Sequence, residues 1–215
     1  MLKRVLIANR GEIALRILRA CREMGIETVA VYSEADREAL HVQLATQAVC
    51  VGSARAADSY LNQKALLTVA KATNCDGVHP GYGFFSESAA FADACAEAGL
   101  TFIGPSGDAI RKAGSKSAAR SIMRQAGVPV TPGSDGPVSS VEEARLAAEQ
   151  VGYPVLLKAS AGGGGRGIRR CDGPEDLAAA FAGAQAEARN CFDSDEMYLE
   201  KLVVEPRHIE FQIMA

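Results

Sequence analysis

Lys158-Ala159-Ser160-Ala161-Gly162-Gly163-Gly164-Gly165-Arg166-Gly167 sets one cation beside a run of bare backbone. Where side chains are absent, amide N–H groups can approach and wrap an anion, and a nearby lysine adds a point charge. The stretch therefore reads as a phosphate site, with a plain flexible surface loop as the alternative. The same letters satisfy G-x-G-x-x-G, but a dinucleotide fingerprint opens a helix, and the residues that follow, 168–171, are extended in pattern. A P-loop fits no better, since Arg166-Gly167 stands where Lys-Ser/Thr is required. What remains is a glycine hairpin between two strands, closing over a nucleotide.

The surrounding residues build a small α+β layer on that hairpin. Upstream, the Ser140 hydroxyl and Glu143 three residues on form a capping-box pattern that predicts a helix to Gln150, followed by a strand over 155–158. Downstream, the pattern gives a strand over 167–170, a helix entered through Asp172, Pro174 and Glu175, and a strand over 197–202. This unit occupies 140–203. From Arg207 to Ala215, His208, Glu210 and Gln212 alternate with Ile209, Phe211 and Ile213, which predicts a strand with one polar face. On this reading 204–215 begins a further subdomain, and the sequence stops inside that strand.

The first part of the chain alternates strand and helix. Short extended segments at 5–8, 28–32, 48–51, 77–79 and 101–103 are separated by helical patterns at 11–24, 62–73 and 86–98. In the first helix Ile13, Ile17, Ala20, Cys21 and Met24 share an apolar face, while Arg16, Arg19 and Glu23 point elsewhere. Such alternation predicts an α/β domain over 1–104, a parallel sheet with helices on both faces. Ligands of such sheets lie at the carboxyl ends of strands, where Asn9-Arg10-Gly11-Glu12 and His79-Pro80-Gly81-Tyr82-Gly83-Phe84 fall. A tight turn is the alternative account of Pro80, Gly81 and Gly83. Between the two units, 105–139 reads as a connection of short helices and a Pro/Gly/Ser stretch.

Composition sets outer bounds. With 215 residues and a formal charge of -3, the chain can bury a real core, and its basic residues form no runs that would suit nucleic acid or a membrane surface. Neither a signal-peptide core nor a membrane-spanning apolar run is present, so the expected location is cytoplasmic. Cys21, Cys50, Cys75, Cys95, Cys171 and Cys191 never reach a metal-binding spacing, which predicts reduced and mostly buried thiols.

Four separated motifs resemble the biotin carboxylase branch of the ATP-grasp superfamily: V-L-I-A-N-R-G-E-I-A-L-R at 5–16, H-P-G-Y-G-F-x-S-E at 79–87, K-A-S-A-G-G-G-G-R-G at 158–167 and E-P-R-H-I-E-F-Q at 205–212. The likeness runs through the whole chain. It implies a pre-ATP-grasp, Rossmann-like domain followed by an ATP-grasp flap, and ATP-dependent carboxylation of biotin on a carrier protein. In that chemistry bicarbonate is activated by the γ-phosphate as carboxyphosphate, and the carboxyl group then passes to the ureido nitrogen. By motif match Lys116 and Lys158 would hold ATP phosphates, and Gly164 and Gly165 would offer flap amides. Glu200 would meet adenine through its side chain, and Lys201 and Val203 through their backbone. His208 would face the nucleotide and the reaction chamber. Tyr82 and Gly83 would approach biotin, and Arg19 and Glu23 would lie in a two-fold dimer contact. These assignments suit phosphoryl transfer, which needs positioning and charge neutralisation more than a protein nucleophile. Simpler readings exist: Lys116 as a solvated helix side chain, Glu200 and Lys201 as neighbouring exposed charges, His208 as an ordinary strand histidine.

Two departures from the family pattern matter. Ile168 replaces the usual Met after the flap, an apolar exchange of similar size. The family's glutamate ligands for Mg²⁺ or Mn²⁺, its bicarbonate-binding arginine, its catalytic glutamate and its biotin-facing arginine all fall beyond residue 215, so the chain alone is expected to be inactive. Within the family, residues 50–62 look most like the separate bacterial subunit of acetyl-CoA carboxylase, whose partners are the biotin carboxyl carrier protein and the carboxyltransferase subunits. The corresponding region of pyruvate, propionyl-CoA or methylcrotonyl-CoA carboxylases is the alternative enzyme reading. A non-catalytic nucleotide-binding or interaction fragment is the other.

Overall fold

A computed structural model describes residues 1–160, 167–192 and 196–211, with the backbone alone at 116, 117, 191 and 192. The chain divides into two compact units, Met1–Arg111 and Lys112–Ala215.

In the first unit β1 (Arg4–Ile7), β2 (Glu27–Ser33), β3 (Gln47–Gly52), β4 (Gly77–His79) and β5 (Thr101–Phe102) form a parallel sheet in the order β3-β2-β1-β4-β5. Neighbouring residues of β1 point to opposite faces. Leu6 joins a buried cluster with Val29, Val31, Tyr60, Leu66 and Phe91, while Val5 and Ile7 pack against Ala14, Ile17, Leu18 and Cys21 of α1 (Gly11–Glu23). A parallel strand covered on both faces needs an unbroken apolar run, which Val5-Leu6-Ile7-Ala8 provides. Beyond α1 come α2 (Leu40–Leu44), α3 (Gln63–Ala72), capped by the Asn62 side chain, and α4 (Ala89–Glu97), capped by that of Ser88. This is the doubly covered parallel sheet that the alternation predicts. The buried stripe of α1 differs from the expected one: Ala14 and Leu18 belong to it, whereas Ala20 is half-buried and Met24, beyond the last turn, is 71% exposed. The cysteines also depart in one place, because Cys50 is exposed on β3 at the sheet edge; Cys21, Cys75, Cys95 and Cys171 are buried and free. The Cys191 side chain lies outside the described residues.

After α5 (Gly107–Gly114) and α6 (Lys116–Gln125), the second unit presents a three-stranded antiparallel sheet. Its strands are β6 (Val155–Ala159), β7 (Ile168–Cys171) and β8 (Met197–Lys201), in the order β7-β6-β8. Val155, Leu157, Ala159, Cys171, Met197 and Leu199 face α7 (Val141–Val151) and α8 (Pro174–Phe192), where Ala144, Ala148, Leu177, Phe181 and Ala184 complete a buried core. The Ser140 hydroxyl accepts from the Glu143 amide at 3.1 Å, and the Glu143 carboxylate takes the Ser139 amide at 2.7 Å, one residue upstream of a standard capping box.

The Pro/Gly/Ser stretch before α7 runs along the free edge of β8. Ser134 and Val138 amides donate to Leu199 and Met197 carbonyls at 2.8 and 2.7 Å, which covers backbone that would otherwise be an open sheet edge. Gly133 makes that approach possible, since a Cβ there would stand 2.3 Å from the Leu199 carbonyl oxygen. Gly133→Ala should consequently lower stability by about 1–3 kcal/mol through overpacking against backbone. A thermal melt indistinguishable from that of the parent would show that the stretch yields freely.

The predicted strand over 207–215 is not formed where the structure describes it. Residues 204–211 are exposed and without strand pairing, because an extended segment becomes a strand only when a neighbouring backbone accepts and donates its hydrogen bonds. Gln212, Ile213 and Ala215 lie outside the described residues.

Candidate functional site

Strand register decides which side chains share the open face of the second sheet. Lys158 pairs with Ile168 on one side and Tyr198 on the other, and Leu156 pairs with Arg170 and Glu200. Side chains alternate across a strand, so with Leu157 and Leu199 in the core, Lys158, Ile168, Tyr198 and Glu200 occupy the opposite face. Lys158 and Glu200 are diagonal neighbours there and form an ion pair, with side-chain exposures of 20% and 14%. Ile168, the position that departs from the family pattern, is half-buried directly beside Lys158.

A second cation completes this group. Arg120, on α6, reaches the other Glu200 carboxylate oxygen at 3.3 Å and donates to the Thr131 carbonyl at 2.6 Å. Sequence reading passed over Arg120. Its spacing of four from Lys116 puts both on one face of a helix, and that was the available signal. Tyr198 lies under the pair; burial, with the Glu200 charge beside it, pushes its phenol up to about 12. At the end of β6 the Ser160 hydroxyl is buried and has no hydrogen-bond partner among the described residues. Gly167, at φ +67°, returns the chain, its carbonyl accepting from the Ala159 amide at 2.9 Å. A cation, an unpartnered hydroxyl and a carboxylate thus stand at the root of the glycine loop, donors for a phosphate and an acceptor for an amino group. The loop's Gly164 and Gly165 lie outside the described residues, as does the Lys116 side chain.

The remaining expected contacts are placed as follows. Lys201 directs its ammonium to the Gly152 and Tyr153 carbonyls at 2.9 and 2.8 Å, capping the end of α7 and leaving its backbone for other contacts. Val203 is 54% exposed. His208 is exposed and sits 3.2 Å from Glu210; among the described residues no hydrogen bond or ion pair joins it to Lys158 or Glu200. Arg19 and Glu23 are exposed on α1.

In the first unit, strand order builds a second site. The chain leads from β1 outward to β2 and β3, then returns to β4 on the other side of β1, so a switch point lies between β1 and β4. The loops after these strands flank it. Tyr82, 74% exposed, and Gly83, at φ +61°, stand on the β4 loop. Beneath them the Asn9 amide, 3% exposed, donates to the Pro80 and Tyr82 carbonyls, each at 2.7 Å. His79 accepts the Gly81 amide on Nδ1 at 3.1 Å, and burial holds its imidazole below the usual range. Arg10 lies over the Tyr60 and Phe84 rings and 3.5 Å from Asp36. Burial raises the Asp36 carboxyl, but hydroxyl donors from Tyr60 and Ser33 together with Arg10 bring the net shift below the ordinary carboxylate value. Burial and the hydrogen bond to Asp36 push Tyr60 up to about 12.

Comparison with known proteins agrees with this geometry in both units. The profile "Biotin carboxylase, N-terminal domain" matches residues 1–110, and "Carbamoyl-phosphate synthase L chain, ATP binding domain" matches 115–215. Biotin carboxylase 1 of Bacillus subtilis is 54% identical over 215 residues, covering 100% of this chain and 48% of the relative. A Campylobacter jejuni biotin carboxylase solved as a β,γ-ATP complex superposes with a TM-score of 0.92 at 47% identity, over 96% of this chain and 46% of that one. The biotin carboxylase domain of Hydrogenobacter thermophilus 2-oxoglutarate carboxylase, a dimer solved with MgADP, ADP and bicarbonate, gives 0.88 at 48% identity over 95% and 45%. Rhizobium etli pyruvate carboxylase gives 0.80 at 46% identity over 94% and 18%. The chain spans about half the length of the curated relatives it matches. A parallel sheet with its switch-point loops, an antiparallel flap sheet carrying Lys158 and Glu200, and profile matches to both units place the chain in the biotin carboxylase family.

Proposed function

We propose that this chain supplies the nucleotide grip and the biotin-facing loop of an ATP-dependent biotin carboxylase. The observation that carries the reading is the shared sheet face: Lys158 for phosphate, Glu200 for the adenine amino group, and the unpartnered Ser160 hydroxyl at the mouth of the glycine loop. The proposed reaction activates bicarbonate with the ATP γ-phosphate and transfers its carboxyl group to the ureido nitrogen of carrier-bound biotin. Mg²⁺ would neutralise phosphate charge in that step. Among the described residues no three His, Cys, Asp or Glu side chains gather at one point, and no metal ligand is assigned to them.

Within this activity, we favour the biotin carboxylase component of acetyl-CoA carboxylase, acting with a biotin carboxyl carrier protein and carboxyltransferase in the cytoplasm, on the strength of residues 50–62. The likeness to domains of pyruvate and 2-oxoglutarate carboxylases supports a second reading, in which the final acceptor is a keto acid. No helix of the described residues is long and apolar enough to cross a membrane.

The test is phosphate release from ATP with Mg²⁺, bicarbonate and free biotin. A version extended to the relatives' full length should release phosphate in a biotin- and bicarbonate-dependent way, while this chain alone should stay at background. Hydrolysis by the extended version that ignores both biotin and bicarbonate would sink the proposal.

A further inference from the structure

The dipeptide Asn9-Arg10, between β1 and α1, is in contact with the β4 loop at both ends of that loop. Asn9 has two amide hydrogens and one carbonyl oxygen, and all three are engaged: the hydrogens on the Pro80 and Tyr82 carbonyls, the oxygen on the Arg10 amide at 2.9 Å. The reversed amide would set oxygen against two carbonyl oxygens, so this orientation is fixed by its surroundings. Between the two clamped carbonyls sits Gly81 at φ +67°, where a Cβ would stand 2.8 Å from the Asn9 amide nitrogen and 2.6 Å from the Ile13 side chain. The loop backbone therefore rests directly on Asn9.

At its far end the loop is held by Phe84, at φ +45°, a region that side-chain-bearing residues seldom adopt. Surrounding structure must impose it. The Phe84 ring stacks on the Tyr60 ring at 5.4 Å with 9° between planes, and the Arg10 guanidinium lies over both rings at 5.4 and 5.8 Å. Asp36, 3.5 Å from Arg10, accepts the Tyr60 hydroxyl at 2.6 Å and ties that stack to the end of β2. Between these two anchors the Tyr82 ring is the part left to solvent, at the switch-point crevice where an open parallel sheet receives its ligand.

We infer that Asn9 and Arg10 are positioning residues, which hold the Pro80–Phe84 loop and with it the Tyr82 ring in the shape that receives the ureido ring of biotin. The ligand in this inference rests on the reading of Tyr82 as biotin-facing; the clamp itself does not. Neither residue needs to touch the substrate. Asn9→Asp keeps size and shape while replacing two donors by acceptors facing carbonyls, and Arg10→Lys keeps charge at a half-exposed position while losing the plane that covers the rings.

Hydrogen exchange on this chain tests the clamp alone. Amides of residues 81–86 should exchange at least roughly 10-fold faster in Asn9→Asp, with β2 and β3 amides unchanged, since lost anchoring opens a segment locally. Steady-state kinetics on the version of the relatives' full length tests the consequence. In both variants kcat/KM for biotin should fall by roughly 10- to 100-fold while the KM for ATP stays put, as expected for misplacement of one substrate. Tyr82→Ala is the control that separates the two claims. If it leaves biotin kinetics unchanged, the biotin-facing reading fails and the exchange result decides the clamp by itself. If Tyr82→Ala impairs biotin use but Asn9→Asp and Arg10→Lys do not, or if they raise the KM for ATP and biotin alike, the positioning role is overturned. Unchanged exchange over 81–86 in Asn9→Asp overturns it as well. Arg10→Lys, at a half-exposed position, keeps the kinetic test available if Asn9→Asp fails to fold.

Discussion

Lys158→Ala is expected to weaken ATP binding by about 10- to 100-fold, the loss of one charge-assisted contact of roughly 1.5–3 kcal/mol. The lysine stands at the root of the glycine loop on the open face of a sheet, and its ammonium is already held by Glu200. Removing it leaves Glu200 with Arg120 as its cation, so the carboxylate is not stranded. Glu200→Gln should behave differently. The amide keeps the shape but loses charge against two cations and presents a donor where an adenine amino group needs an acceptor, so discrimination between ATP and GTP should shrink more than total phosphate affinity. Titration calorimetry with ATP, GTP and adenosine separates these roles. Lys158→Ala should spare adenosine binding and Glu200→Gln should not. Equal weakening of ATP and adenosine by Lys158→Ala would mean that the lysine acts through Glu200 instead of on phosphate, and two variants that bind like the parent would leave the glycine loop as ordinary surface.

Periodicity made the scaffold legible because strands and helices repeat their burial pattern. Val5-Leu6-Ile7-Ala8 announces a strand covered on both faces, and the alternation of Val155, Leu157 and Ala159 with Leu156 and Lys158 announces one covered on a single face. Pairing across strands is not encoded in any one of them. That Lys158 and Glu200 become diagonal neighbours depends on the register of β6 with β8, which no local pattern prints. Arg120 was missed for a related reason: its partners are a carboxylate 80 residues away and the Thr131 carbonyl. The terminal alternation around His208 shows the opposite error. Alternating polarity predicts a strand, but residues 204–211 find no ladder among the described residues, and period alone cannot supply one. Asn9-Arg10 was visible as a switch-point loop, while its grip on Pro80 and Tyr82 needed β1 and β4 to be adjacent.

Charge reversal on α1 should break a two-fold dimer of the version extended to the relatives' full length, and should leave the stability of this chain almost untouched. The helix turns Ala14, Ile17, Leu18 and Cys21 toward the sheet, and Arg16, Arg19 and Glu23 stand exposed. Exposed charges of this kind contribute little to the fold that carries them, so Arg19→Glu and Glu23→Arg should melt like the parent. An isologous interface counts each change twice, because the same patch comes from both subunits. If Arg19 and Glu23 are dimer contacts, one reversal therefore places two new like-charge encounters in the interface and should raise the dimer dissociation constant on the order of 100-fold or more. Making both reversals together restores opposite signs across the two-fold axis wherever Arg19 meets Glu23 of the second subunit, and should recover part of the loss. The present chain, without the second half of the relatives' length, should sediment mainly as a monomer. Sedimentation velocity over a range of concentrations reads all of these states. A tight dimer of this chain, or an extended dimer indifferent to both single reversals, would remove α1 from the interface.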